Sequence, residues 1–192
     1  MPNYSFKTLL ALMLLLILIS GCSDNATEES AGLPEELTRS SVCLIDGMIL
    51  ADHPGPKGQA IFKDGQHHFF CDTKGLFSSL YDPNYKMKIK QAFVQDFGQR
   101  EWGSYNDRWI DVESAFYVMD SKKFGAMGPT LVSYSKRADA DAFAKEFGGS
   151  VVAFSEITEE LFEAYQARIR QQLREAVGTG VSTQHEADHH NH

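Results

Sequence analysis

The sequence predicts an α+β domain made of two related small β-β-α units and followed by a C-terminal amphipathic helix. Two strand-like runs and a short helical segment occur in residues 59–81 and again in residues 115–147. In residues 158–177, apolar side chains recur at intervals of three and four, the period of an amphipathic helix. Because neither unit could bury its own apolar face well, we expect the two to share one core within residues 42–157.

The N-terminus has the features of an export signal. Lys7 gives a positive start, and residues 9–19 form an unbroken apolar run that ends at Ser20-Gly21-Cys22. A membrane-spanning helix needs about 20 apolar residues, so this shorter run predicts a cleaved signal peptide at residues 1–21. The small residues before Cys22 fit a lipobox, and we expect lipidation of Cys22 to anchor the mature chain to a membrane. Ser23, at the next position, slightly favours the outer membrane.

The segment 22–41 predicts a flexible linker, since it is polar, rich in acidic residues and without a helical or strand period. The whole chain has 26 acidic and 18 basic residues and a formal net charge of −8. This balance gives no electrostatic footprint for a nucleic-acid partner.

The first unit begins with a predicted hairpin. Its expected elements are a strand at 59–62, a strand at 67–71 and a helix at 74–81. Asp64-Gly65 between the strands is a favoured hairpin turn. Asp72 or Thr73 can cap the helix, because a side-chain oxygen there can accept a hydrogen bond from an N–H group of the first turn.

The second unit repeats this order. Its expected elements are strands at 115–119, 130–134 and 151–154, with a helix bearing Ala138, Ala142, Phe143 and Phe147. We expect Ser135 to cap that helix and Gly148-Gly149 to end it. Residues 82–110 between the units predict a long ordered crossover whose aromatic side chains pack on the core.

The C-terminal segment divides into a helix at 158–178 and a polar tail at 179–192. The helix should dock on the domain or on a partner. The tail lacks periodicity and predicts disorder. Its histidines, His185, His189, His190 and His192, could collect Cu(II) or Zn(II) weakly but offer no fixed geometry.

Soft ligands for a metal are concentrated after the linker. Cys43, Met48 and His53 supply a thiol, a thioether and an imidazole within a Gly- and Pro-rich stretch. Sulfur ligands select Cu(I) over harder ions, and the paired C-x₂-C spacing of many zinc sites does not occur in this chain. Met48 and Met127 each lie beside glycine in turn-like sequences, which predicts surface positions. A thiolate with one or two thioethers would hold Cu(I) in a neutral, low-coordinate site open on one side.

Over about residues 41–157, the sequence resembles the nitrous oxide reductase accessory lipoproteins, the NosL family. The resemblance is carried by the lipobox cysteine, Asp46-Gly47-Met48, the run from Asp52-His53-Pro54 to Gln59, Trp109-Ile110-Asp111, residues 115–118, Met127-Gly128, Phe143-Ala144 and Gly148-Gly149. Many family members have Cys-x-x-Cys-Gly-Met, whereas Asp46 stands at the second cysteine position here. This departure leaves Cys43 as the expected sole thiolate and argues against a disulfide redox role.

The resemblance implies a periplasm-facing Cu(I) chaperone that supplies the copper-sulfide centre of nitrous oxide reductase and works with a maturation ABC transporter complex. The expected ligands are Cys43 and Met127, with Met48 as the third. The two distant sulfurs would come from equivalent loops of the two units. His53 is the substitute for Met48, and a role in ordering the following Pro-Gly-Pro turn is equally open.

Three alternatives remain open at the level of sequence. Cys71 is expected to be a buried, inert thiol rather than a ligand, because free cysteine is among the most buried residue types. In an oxidising compartment, Cys43 and Cys71 could instead form a disulfide, either structural or as part of a thiol oxidoreductase, although a C-x-x-C motif is lacking. A non-metal assembly scaffold that grips its partner through helix 158–178 is the third alternative. No nucleophile motif or phosphate-binding loop indicates another enzyme.

Overall fold

The computed structural model of the chain describes residues 32–103 and 107–188, with side chains up to Glu175. The predicted signal peptide, Cys22 and residues 22–31 of the linker lie outside the described residues, as do the side chains of the four tail histidines. Among the described helices, none combines the length and apolar composition that crossing a membrane requires.

The first sheet has four antiparallel strands. In chain order, its strands and the two helices among them are β1 (Gly58–Phe62), β2 (His67–Phe70), α1 (Thr73–Tyr81), α2 (Pro83–Lys86), β3 (Ile89–Gln95) and β4 (Trp109–Asp111). The strand order is β2-β1-β3-β4, and the central β1 is buried along its whole length. The predicted hairpin turn is confirmed, with Gly65 at φ +83°. Asp72 caps α1, because its carboxylate accepts a hydrogen bond from the Lys74 N–H at 2.9 Å.

The second sheet has three antiparallel strands and carries a small hairpin. The remaining elements are β5 (Phe116–Met119), β6 (Phe124–Gly125), β7 (Gly128–Pro129), β8 (Val132–Tyr134), α3 (Arg137–Phe147), β9 (Ser150–Ala153) and α4 (Glu159–Asp188). The sheet order is β8-β5-β9, and β6 pairs only with β7. The α+β prediction is confirmed.

Both units place their first strand between the second and third. The order β2-β1-β3 of the first unit corresponds to β8-β5-β9 of the second, in each case with a helix before the third strand. A shared strand order supports the predicted repeat, which itself stays a prediction.

Two local predictions were wrong. The supposed crossover 82–110 contains α2, β3 and β4, and β3 is a central strand of the first sheet. Ser135 does not cap α3, whose N-cap residue is Lys136 without a side-chain cap. The Ser135 hydroxyl instead donates a hydrogen bond to the Asp96 carboxylate at 2.7 Å.

The C-terminal helix is longer than predicted. The backbone of α4 continues through Asp188, past the expected end at residue 178 and into the segment expected to be disordered. Extension of a helix that is already nucleated adds one hydrogen bond for each residue fixed, so Gly178 weakens it without ending it. Among the side chains of α4 that the structure describes, those of the first turns, Phe162, Tyr165 and Ile169, join the main core.

The main core lies between the two sheets, α1 and α4. Phe77 of α1 packs edge-on against Tyr117 of β5, with ring centroids 5.1 Å apart, and also contacts Phe162 of α4. Aromatic pairs in this offset or edge-on geometry are worth about 0.5–1.5 kcal/mol beyond the area that they bury. One ring of α1 therefore joins the second sheet to the C-terminal helix.

Candidate metal centre

A tight turn presents Cys43. The Cys43 N–H donates a hydrogen bond to the Met48 carbonyl at 2.9 Å, and the Gly47 N–H donates one to the Cys43 carbonyl at 3.0 Å. Asp46 closes the turn by accepting a hydrogen bond from the Met48 N–H at 3.0 Å, while Gly47 takes a positive φ of +73°. An Asp-Gly pair suits such a turn because the Asp side chain accepts a hydrogen bond from the backbone N–H two residues on, and glycine adopts positive φ without a steric penalty.

The thiol of Cys71 meets this turn. Cys43 pairs with Phe69 in a parallel β-bridge beside β2, and Cys71 follows β2 directly. Among the described His, Cys, Asp and Glu side chains, Cys43, Asp46 and Cys71 form a group whose ligand atoms all lie within 4.8 Å of one another. Both cysteines are free and buried, with 3% and 1% of their surface exposed, whereas Asp46 is exposed. The group is thus closed by protein on one side and open to solvent at Asp46.

Contacts within the group shift the pKa values of Asp46 and Cys71 in opposite directions. They counteract the effect of burial on the pKa of Asp46 and add to its effect on the pKa of Cys71. Burial alone would raise the pKa of the Asp46 carboxyl, but hydrogen bonds from the Met48 N–H and the two thiols lower it. The Cys71 thiol lies 3.6 Å from the Asp46 carboxylate. Burial raises the pKa of Cys71, and the contacts with Cys43 and the charge of Asp46 raise it further. Both effects favour the neutral thiol form of Cys71.

The backbone of Met127 in the hairpin β6–β7 lies against Asp72, the residue after Cys71. The Asp72 carboxylate lies 3.5 Å from the Met127 N–H, and the Lys74 ammonium donates a hydrogen bond to the Met127 carbonyl at 2.7 Å. The Thr130 hydroxyl, at the other end of the hairpin, also donates to Asp72 at 2.7 Å. Asp72, the N-cap of α1 and the neighbour of Cys71, therefore attaches the hairpin.

Close backbone packing fixes the same hairpin from two sides. A side chain at Gly125 would lie 2.4 Å from the Asp72 carboxylate, and one at Gly55 would lie 2.8 Å from the Gly125 backbone. Glycine at both positions lets the Pro-Gly-Pro loop and α1 contact the hairpin directly.

The two methionines differ in exposure. Met127 is 47% exposed at the hairpin tip, as predicted from its glycine-flanked turn. Its neighbour Ala126 packs against the buried cluster of Leu37, Cys43, Leu50 and Cys71. Met48 was expected to project from the surface, but it is half-buried and packs against the same cluster.

His53 is not part of the three-residue group. It lines a neighbouring cavity of about 420 Å³ together with Leu37, Leu50 and Lys57. The ammonium of Lys57, rather than the imidazole, orders the Pro-Gly-Pro turn, because it donates hydrogen bonds to the His53 carbonyl at 2.8 Å and the Pro54 carbonyl at 3.1 Å. Burial lowers the pKa of Lys57 to about 8, against the attraction of Asp72 and the two thiols.

The ligand roles expected for Cys43, Met48 and Met127 stay predictions. The predicted burial of Cys71 is confirmed, but the sequence did not indicate that Cys71 and Asp46 lie beside Cys43. The expectation that Cys43 and Met127 lie on equivalent loops was wrong. Met127 lies between β5 and β8, whereas Cys43 precedes β1. The proximity of Cys71 depends on the pairing of Cys43 with Phe69, for which the sequence carries no local signal.

The sequence pattern of the NosL family matches residues 34–162, which include every residue of this site. The chain belongs to the NosL family. The copper-binding lipoprotein NosL of Stutzerimonas stutzeri is 36% identical over 157 residues, covering 81% of this chain and 82% of the relative. The copper-binding lipoprotein NosL of Achromobacter cycloclastes is 32% identical over 152 residues, covering 76% and 77%. Both relatives are named for copper binding and neither is named as an enzyme.

A solved NosL structure shares the fold. The crystal structure of the copper chaperone NosL from Shewanella denitrificans aligns with a TM-score of 0.64 at 35% identity, covering 67% of this chain and 97% of that one. In the present NosL-family chain, two thiols and an exposed carboxylate meet beside a half-buried thioether. Soft donors of this kind suit a monovalent copper ion, and the opening at Asp46 leaves room for exchange.

Proposed function

We propose that this chain is a lipid-anchored Cu(I) chaperone of the cell envelope, facing the periplasm, with Cys43 as the thiolate and Met127 as a thioether ligand. Its cargo would be delivered, with a maturation ABC transporter complex, for assembly of the copper-sulfide centre of nitrous oxide reductase during denitrification. The observation that carries the proposal is that the hairpin bearing the exposed Met127 packs, through Ala126, on the buried cluster that contains the Cys43 thiol. The names of the two curated relatives support both copper binding and lipid attachment.

Exposure of Met127 suits transfer rather than storage. A thioether that only filled the core would be sealed, but nearly half of this side chain is accessible at the hairpin tip. A recipient's ligand could approach the metal from that side while Cys43 still holds it from the buried side. Met48 packs on the cluster that contains Cys43 and offers a further thioether, whereas His53 lines the neighbouring cavity.

Competition with a Cu(I)-specific chelator tests this site. Cys43→Ser and Met127→Ile should each weaken Cu(I) binding by about tenfold or more, a loss of about 1.4 kcal/mol or more. Met87→Ile is the matched control, because Met87 is a 73% exposed methionine next to α2 and outside the site. If Met127→Ile behaves like Met87→Ile, or if the unsubstituted chain does not bind Cu(I), the proposed site is wrong.

Delivery needs a test in cells. Deletion of the chain should leave nitrous oxide reductase without its copper-sulfide centre, and the unsubstituted chain should restore the centre when reintroduced. Cys43→Ser should not restore it, while Met87→Ile should. Full occupancy of the centre in the deletion strain would contradict the delivery role.

One observation favours a second candidate, a thiol oxidoreductase. The Cys43 and Cys71 sulfurs are near neighbours, and a modest approach would allow a disulfide. Attack on a disulfide requires a thiolate, whereas burial raises the pKa of Cys71. Reduction of a model disulfide substrate by the dithiol form, abolished in Cys71→Ser, would favour this candidate over the chaperone.

A further inference from the structure

We propose that Cys71 is a second copper ligand, so that this chain holds Cu(I) between two thiolates, Cys43 and Cys71. The inference rests on the copper-binding function proposed above. It assigns a role to a thiol outside the motif that carries the family resemblance.

The separation of the two sulfurs fits a shared metal ion. Metal–thiolate bonds are about 2.3 Å long for zinc, so two sulfurs on opposite sides of one ion of similar size lie at most about 4.6 Å apart. The Cys43 and Cys71 sulfurs lie within 4.8 Å of each other, and both are reduced. Small movements of the turn that bears Cys43 would bring an ion within bonding distance of both.

The surroundings of Cys71 differ from those of an inert core cysteine. Its thiol faces a second thiol and lies 3.6 Å from a carboxylate that is open to solvent. Asp46 belongs to the turn that presents Cys43, and the thiol of Cys71 comes to that same carboxylate. The end of β2 therefore brings a second sulfur to this turn.

A buried cation is available to offset the charge of the complex. Two thiolates and one Cu(I) ion carry a net charge of −1, which is costly to bury without a counter-charge. Lys57 is 5% exposed as a residue, its ammonium donates hydrogen bonds to two backbone carbonyls, and it is attracted by Asp72 and by both cysteines. Lys57 interacts electrostatically with both cysteines, whereas Lys74 interacts with Cys71.

Binding in this form is a ligand exchange without electron transfer. Each copper–sulfur bond forms as a thiol loses its proton to solvent, and the copper enters and stays as Cu(I). Met127 would then be an outer, exchangeable ligand, and the two buried thiolates would be the retaining pair.

The test compares the full-length chain, purified in detergent, with Cys71→Ser, Cys71→Ala and Cys43→Ser. X-ray absorption at the copper edge should find one sulfur neighbour fewer in either Cys71 variant than in the unsubstituted chain. The Cys71 variants should bind Cu(I) about tenfold or more weakly in chelator competition. At a fixed pH, the unsubstituted chain should release one proton more for each bound copper than Cys71→Ser does.

The outcomes separate this inference from the proposed function. Thermal unfolding without copper identifies which Cys71 variant is folded and therefore interpretable. If that variant keeps the same affinity, sulfur count and proton release while Cys43→Ser loses binding, the chaperone proposal stands and the role of Cys71 is refuted. If the unsubstituted chain and Cys43→Ser bind copper equally poorly, the proposed function itself fails.

Discussion

The indole of Trp109 lies against the buried cluster that contains Cys43 and Cys71, and its N–H group makes no hydrogen bond to the described residues. Trp109 packs on the cluster that contains Cys43 and Cys71, and its ring centroid lies 6.4 Å from that of Phe69. Its buried Nε1–H has no hydrogen-bond partner among the described residues. A buried N–H without a partner costs about 1–3 kcal/mol, so this indole is sensitive to any acceptor or charge that enters the cluster.

Copper binding should therefore change the fluorescence of Trp109. A cation near an indole face interacts with its ring electrons, and formation of the copper site changes the charge beside this ring. Emission from the unsubstituted chain should change with one equivalent of Cu(I), and Trp109→Phe should lose that response. Trp102→Phe is the control, since Trp102 packs with Phe97 and Phe143 in a different cluster. A response that disappears with Trp102 instead would place the metal elsewhere.

For single residues, the sequence predicted the features that depend on neighbouring residues in the chain. The exposure of Met127 follows from its flanking glycines, and the capping by Asp72 follows from its place before an apolar run. The position of Cys71 could not be predicted, since it depends on a bridge between segments that are 26 residues apart, Cys43 and Phe69. The same holds for Lys57, whose burial depends on how the Pro-Gly-Pro loop closes.

Among the elements, α1 links the core to the site. Its C-terminal half places Phe77 among the rings of the main core, and its N-terminus fixes the hairpin β6–β7 through Asp72 and Lys74. The position of the exposed thioether is thus coupled to a helix that the core holds rigidly. The sequence predicted the cap formed by Asp72 but not its bond to Thr130, because that contact joins residues 58 positions apart.

The strands that sequence reasoning missed have an identifiable cause. Residues 89–95 alternate poorly, since β3 is exposed at one end and buried on both faces at the other. A buried central strand lacks the alternation of a half-buried one, so its pattern merges with that of an ordered loop. The hairpin β1–β2 was found because Asp64-Gly65 marks its turn.

Helix α4 should stabilise the domain only through its first turns. Ile169 is 6% exposed and belongs to the main core, whereas Leu173, one turn later, is 52% exposed. Ile169→Ala should lower the free energy of unfolding by about 2–4 kcal/mol, because it removes buried methyl groups and leaves a cavity. Leu173→Ala should change it by less than about 0.5 kcal/mol. Urea unfolding monitored by circular dichroism measures both.

The same two substitutions in α4 also test the alternative that the chain is an assembly scaffold that binds its partner through this helix. If Leu173→Ala leaves stability and copper affinity unchanged but abolishes assembly of the reductase centre in cells, the exposed part of α4 is a partner surface. Equal destabilisation by the two substitutions would contradict the docking seen for this helix.

Across the whole molecule, the end of β3 joins the two sheets. The Gln95 carbonyl accepts a hydrogen bond from the Ser133 hydroxyl at 2.6 Å, and the Phe97 N–H donates one to the Ser133 carbonyl at 2.9 Å. Asp96 accepts hydrogen bonds from the Ser135 hydroxyl and from its N–H at 3.1 Å. The proposed copper site would draw its thiols from beside the first sheet and Met127 from between strands of the second, so this junction would keep the two sources in place.

Asp96 should make the junction sensitive to acid. Burial raises the pKa of its carboxyl, but the hydrogen bonds from Ser135 and Gly98 and the nearby Arg108 outweigh burial and lower it. A carboxyl with a lowered folded-state pKa stabilises the fold fully above the unfolded value of about 3.9, and that stabilisation is lost as the pH falls through the folded value.

Asp96→Asn tests this. The Asn side chain keeps one acceptor oxygen but replaces the other by an N–H₂ group, which cannot accept a hydrogen bond from Arg108. We therefore expect the free energy of unfolding to fall by about 1–3 kcal/mol at pH 7. In urea unfolding, the gap between variant and unsubstituted chain should shrink as the pH falls below about 4. Asp141→Asn is the matched control, because Asp141 forms an exposed 3.9 Å pair with Arg137 within α3 and should contribute little at either pH. A gap that is the same at pH 7 and at acid pH would mean that the charge of Asp96 does not hold the sheets together.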